Sequence, residues 1–379
     1  MEPYENYTTH REIEQQPRLW RETLDVVASN LDAIRAFIEK IKESDPRIIL
    51  SGAGSSAYIG ETVAPYINAR TPFLVEPIAT TDIVASPQSY LRNKRPTLLV
   101  SYARSGNSPE SVATVDLAND LVEEVYHIIF TCNPEGSLAK RGEADDNALV
   151  IYMPEDANDK GLAMTGSFST MALASLLVFD LRAFECLKPI VERIADLGES
   201  MMHSDALDRA AAGEFQKVVF LGSATFKGLA KEAELKMLEL NAGRIATRSD
   251  TPLGFRHGPK SFIDEKTTVF QFLSNDPYTR KYELDLLKEL KKDGMTTDVI
   301  ISESESPDAA SADQYIAVSN SGENLPDAFL QFPFLITAQR LAFLKSYKQG
   351  INPDDPSPEG VINRVVKGVT LYPYKKEGA

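Results

Sequence analysis

The chain has 379 residues, 43% hydrophobic and 25% charged, which fits two domains of ordinary size and leaves no long polar tract for disorder. Its formal net charge of -15, with no basic stripe to offset it, excludes nucleic acid as an expected partner. A small phosphate stays acceptable, because the N–H groups of a single helix N-terminus bind it whatever the global charge.

Met1 to Asn30 lacks the apolar core of a signal peptide, and no run approaches bilayer length, so no membrane partner and a cytoplasmic location are expected. From Arg21 to Ile41 the residues Leu24, Val27, Leu31, Ile34, Phe37 and Ile41 recur at three- and four-residue steps, predicting one face of an opening helix. Arg47 to Gly52 is an apolar run stopped by glycine, followed by a helical stretch from near Ser55, which reads as strand, tight turn, helix. The same grammar returns at Thr97 to Val100, His127 to Thr131 and Ala148 to Met153. Strands alternating with helices predict an α/β fold with parallel sheets covered on both faces.

Past a helical connector ending near Gly213, the pattern repeats at an offset of about 170 residues. Lys217 to Gly222 answers Arg47, and Thr267 to Phe272 answers Thr97, the two strand starts lying 50 residues apart in each half. A third pair, His127 and about Thr297, keeps the offset. The expected layout is a helical segment over 1–45, a first domain over 46–212, a second over 213–349 and a tail over 350–379. Cys132 and Cys186 have no metal-type spacing and read as buried thiols, so no disulfide, metal or cofactor is expected.

In a doubly wound sheet, ligands gather beyond the carboxyl ends of the strands. The first such loop holds Gly54, Ser55 and Ser56; the second holds Arg104, Ser105, Gly106, Asn107 and Ser108 ahead of Pro109. Small residues let backbone N–H groups approach an oxyanion, and the following helix dipole favours its charge. The serines could instead only cap helices. Gly52-x-Gly54-x-x-Ala57 with Glu76 also fits a dinucleotide fingerprint, but such a fold does not need a second hydroxyl-rich loop. The matching second-half loop, Ser274 to Pro277, carries Asp276, which would oppose a phosphate. One phosphate site per chain is therefore expected.

Of four histidines, His127 starts an apolar strand and reads as structural, and His10 and His203 read as solvated. His257 lies in a loop bracketed by glycines and proline, where functional side chains are often presented. In the helix from Gly228 to Leu240, Lys236 and Glu239 share a face with Glu232 a turn earlier; flanking Leu235, Leu238 and Leu240 mark a buried helix rather than a surface ion pair. A carboxylate, a histidine and a lysine suffice for aldose–ketose chemistry without metal. The carboxylate moves the proton alpha to the carbonyl, histidine shuttles the ring-oxygen proton, and lysine stabilises the developing negative oxygen.

From about Arg47 to Tyr374 these motifs resemble the sugar isomerase (SIS) domain family, most closely its AgaS-type members. The isomerase portion of glucosamine-6-phosphate synthase is a more distant likeness. The resemblance implies two tandem SIS subdomains, each a three-layer αβα, flavodoxin-like unit. It implies phosphate-binding serines at Ser56, Ser105 and Ser108, a lysine and catalytic glutamate at Lys236 and Glu239, and a histidine loop at His257. It further implies a tail lysine at Lys367 and a substrate-lining serine at Ser169. Ala103 stands where the synthase-like pattern has a serine, and Arg104 stands where it has a smaller polar residue.

No glutaminase segment precedes the first half, and Met1 is not followed by a nucleophilic cysteine, so the chain is expected to lack the means to release ammonia from glutamine. The implied activity is conversion of galactosamine 6-phosphate to tagatose 6-phosphate and ammonia by a homodimer or larger assembly with shared sites. The rival expectations are a tagatose-6-phosphate isomerase without deamination and a sugar-phosphate-binding module without turnover.

Overall fold

A computed structural model describes residues 3–304, 311–319, 324–366 and 368–374. Three helices lead in: α1 (Thr8–Glu14), α2 (Gln16–Ser29) and α3 (Leu31–Lys42). The first sheet unit runs β1 (Arg47–Ser51), α4 (Ser55–Arg70), β2 (Val75–Pro77), α5 (Thr80–Ala85), α6 (Pro87–Tyr90), β3 (Thr97–Ala103), α7 (Pro109–Leu121), β4 (Val125–Thr131), α8 (Ser137–Glu143) and β5 (Ala148–Tyr152). Helices α9 (Gly166–Phe179), α10 (Phe184–Met201) and α11 (Asp205–Ala212) lead to the second unit. That unit runs β6 (Lys217–Leu221), α12 (Thr225–Leu240), β7 (Ala246–Asp250), α13 (Pro252–Phe255), β8 (Thr267–Phe272), α14 (Pro277–Asp293), β9 (Thr296–Ser304) and β10 (Gln314–Ser319), before the closing helix α15 (Asp327–Lys348).

The strand order is β2-β1-β3-β4-β5 in one sheet and β7-β6-β8-β9-β10 in the other, the same order twice. All the pairings are parallel, and Arg47↔Thr97 in the first sheet is echoed by Lys217↔Thr267 in the second. The central strands β1 and β3 are buried along their whole length, which is why they read as unbroken apolar runs. Two α/β units built alike, one after the other, make this a duplicated fold.

The units share one interior. Every residue of α9 is buried, and so is almost all of α15, so these helices are enclosed on all sides rather than half exposed. Helix α4 of the first unit lies directly on α12 of the second. A Cβ on Gly228 would stand 2.7 Å from the backbone nitrogen of Thr62, so the close approach requires glycine. That packing brings the carboxyl end of the first sheet against the helix carrying Lys236 and Glu239.

Four expectations are corrected. The opening helix is two, α2 and α3, broken at Asn30, although Leu24, Val27, Ile34, Phe37 and Ile41 are buried together. Cys186 is exposed, whereas Cys132 is buried. His10 is buried rather than solvated, its ring 5.4 Å from that of Phe343 and its Nε2 3.1 Å from Glu14 Oε1. Leu238 is exposed; the buried face of α12 is carried by Phe226, Leu229, Ala230, Ala233, Met237 and Leu240.

Candidate active site

The turn after β1 forces the chain close to itself. A Cβ on Gly52 would stand 2.5 Å from the carbonyl carbon of Ser56, and Gly54 takes φ 57, ψ −129, a conformation that side chains resist. Helix α4 then begins at Ser55 with no side-chain cap, and α7 begins behind Ser108, whose hydroxyl likewise does not cap it, among the described residues. Two helix N-termini without side-chain caps thus face one space, each with serines beside it. Such an arrangement can hold an anion, because helix N-termini favour negative charge.

The space is a cavity of about 290 Å³ lined by Ser55, Ser56, Ser105 and Ser108 on one side and by Lys236 and Glu239 on the other. Lys236 is 1% exposed, and its Nζ lies 2.5 Å from Glu239 Oε2 and 3.6 Å from Glu232 Oε1. Burial opposes the Lys236 charge, but the carboxylates of Glu232 and Glu239 outweigh it and hold the ammonium above its ordinary value. Burial pushes Glu232 up to about 7, against the pull of Lys236 and with the help of Glu239. Ser55 Oγ donates to Glu232 Oε1 at 3.1 Å, so the turn after β1 and helix α12 are joined directly. Glu239 is 23% exposed at the cavity edge. A base open to the cavity and a cation fixed beside it can remove a carbon-bound proton and stabilise the enolate oxygen that results.

The structure gathers Gly54, Ser55, Ser56, Arg104, Ser105, Gly106, Ser108, Lys236 and Glu239 around this cavity. Arg104 lines it but spends its donors on backbone carbonyls, Leu162 O at 3.2 Å and Arg364 O at 2.6 Å among them. Asn107 turns away, its Oδ1 accepting from the backbone N–H and the hydroxyl of Ser137. Ser169 is buried in α9, accepting from Trp20 Nε1 at 2.9 Å, and does not line the cavity. His257 is exposed, on the loop after α13, outside the cavity lining of its own chain. Lys367 lies outside the described residues. The sequence reading did not find Tyr102, Met164 or the tail residues Ile362, Asn363 and Arg364, which also line the cavity. No periodicity or turn signal marks that tail.

The second unit has the same turns but fills them. Phe226 stands where the first unit has Ser56, as a Cβ on Gly222 would stand 2.3 Å from its carbonyl oxygen. Asp276 caps α14 by accepting from the N–H groups of Tyr278 and Thr279, which holds its carboxyl below the usual range, and Ser274 donates to Asp327. A phosphate would meet those carboxylates instead of free N–H groups.

The SIS domain family matches residues 40–180. D-galactosamine-6-phosphate deaminase AgaS of Escherichia coli is 41% identical over 391 residues, covering 98% of this chain and 99% of that protein. The protein of the same name from Shewanella sp. (strain ANA-3) is 40% identical, covering 98% and 94%. The crystal structure of tagatose-6-phosphate ketose/aldose isomerase from Escherichia coli superposes with a TM-score of 0.90 at 37% identity, covering 98% of each chain.

Proposed function

The chain belongs to the AgaS group of the SIS-domain family, and from that membership we propose that it deaminates and isomerises galactosamine 6-phosphate. The phosphate sits on the turns at Ser56, Ser105 and Ser108, against the N-termini of α4 and α7. In the opened sugar, Glu239 takes the proton from C2, giving an enolamine, and returns it to C1. The product is a ketimine at C2, which water hydrolyses to tagatose 6-phosphate and ammonia. Lys236 stabilises the oxygen that gains charge.

The observation that carries this reading is convergence: hydroxyl-lined turns of the first unit and the acid-bearing helix of the second bound one cavity of about 290 Å³. That size suits a small substrate and excludes a dinucleotide lying across the sheet. His257 opens the ring from a second copy of the chain, which accounts for its exposure here, and the assembly is a homodimer or larger. Among the described residues no helix is long and apolar enough to cross a membrane.

Incubation with galactosamine, glucosamine, tagatose and fructose 6-phosphates, following ammonia and ketose together, tests the reading. Ammonia and ketose in equal amounts from galactosamine 6-phosphate are expected. The name of the Escherichia coli structural relative favours a second reading, tagatose-6-phosphate isomerisation without deamination. Interconversion of tagatose 6-phosphate with its aldose, without ammonia from any amino sugar, would establish that instead.

A further inference from the structure

Beyond Ile351 the chain leaves the core and returns to the cavity as a strap. Asp354 first ties it down by accepting from the N–H groups of Thr8 and Thr9, at 2.8 and 2.7 Å. From Ser357 onward none of the described residues is buried, and Val361 and Val366 are 84% and 54% exposed. Apolar burial therefore contributes little to holding this segment. Beyond Gly368 it stands off α5 and α7 over a cavity of about 1090 Å³. Yet Ile362, Asn363, Arg364 and Val366 form one wall of the catalytic cavity.

Two arginines supply what burial does not. Arg104, 7% exposed, directs Nη1 to Leu162 O at 3.2 Å and to Gly161 O at 3.4 Å, and Nη2 to Arg364 O at 2.6 Å. Arg364 in turn donates from Nε to Asp159 O and from Nη2 to Asn158 Oδ1, both at 2.9 Å. One guanidinium bridges the 161–162 loop to the strap, and the other pins the strap to the loop just before it. A planar fork makes both contacts at once, where a lysine could not.

We propose that Arg104 is a positioning residue that latches the C-terminal strap as a wall of the catalytic cavity, and is not a phosphate ligand. Its catalytic consequence rests on the deaminase reading; the latch itself does not. The test uses the full chain with Arg104→Lys, Arg104→Ala and Arg364→Ala, read in three ways. Trypsin cleavage within the strap should speed up about tenfold or more in the Arg104 variants, as expected for losing a charge-assisted hydrogen bond, without a matching change in melting temperature. Inorganic phosphate, titrated calorimetrically, should bind within about twofold of the parent, since serines and helix N-termini hold it.

With galactosamine 6-phosphate, kcat should fall about tenfold or more, and Arg104→Lys combined with Arg364→Ala should cost little more than either alone. Weakened phosphate binding with unchanged strap cleavage would overturn the proposal and make Arg104 a phosphate ligand. Additive losses in the double variant would overturn it too. Arg104→Lys keeps the charge and preserves the test should Arg104→Ala fold poorly. If even the parent releases no ammonia, the deaminase reading fails alone, because cleavage and phosphate binding still decide the latch.

Discussion

Lys236 is the electrostatic hinge of the site. A buried ammonium paired with two carboxylates is tied electrostatically to both, and losing Lys236 would leave them facing each other uncompensated, so Glu232, Lys236 and Glu239 behave as one unit. Burial chiefly raises Glu232 from its ordinary 4.5 to about 7, so the folded protein holds a proton there that the unfolded chain releases. Its contribution to stability is complete below about pH 4.5 and is lost as pH rises through about 7. The stability of Glu232→Gln relative to the parent should therefore improve by on the order of 1–3 kcal/mol between pH 4.5 and pH 8, read from denaturant unfolding at each pH. Parallel curves would contradict it. At this scale the sequence was legible where a residue type has few uses: the lysine and glutamates on one apolar helix, and serines flanking glycine turns. His10 was not, because its burial depends on Phe343, more than three hundred positions away.

Among the elements, the two strand–turn–helix units show how one backbone serves two ends. The turn before α4 uses Gly54 at φ 57, whereas the same turn before α12 puts Ala224 at φ 49, ψ −119, where a Cβ is strained. Ala224→Gly should stabilise the protein by about 1 kcal/mol, measured by chemical denaturation, because relief of that strain outweighs the added freedom of the unfolded chain. An unchanged or lower midpoint would show the turn to be relaxed. Central strands were legible because burial on both faces makes them continuous apolar runs. The edge strand β2 was not, being three residues that include Glu76 and Pro77. The break at Asn30 was hidden for the opposite reason: the apolar face continues across it from α2 to α3.

For the whole molecule, duplication has divided the labour. One unit keeps its turns open to the cavity, the other closes them with Phe226, Asp276 and Asp327 and contributes a helix instead. The repeat at 170 residues made this architecture readable, but the strap was not, since it is ordered by Arg104 and Arg364 rather than by any pattern of its own. If His257 serves a second copy, Glu239→Gln and His257→Ala chains, each inactive, should regain about a quarter of parent activity when refolded together, the statistical yield of one intact site in mixed dimers. No recovery would confine each site to one chain. The most direct test of the account follows deuterium at C2 of galactosamine 6-phosphate by NMR. The parent should move that label from C2 as ketose forms. Glu239→Gln should do so about a thousandfold more slowly while binding inorganic phosphate as the parent does. Loss of the label at the parent's rate in Glu239→Gln would contradict it.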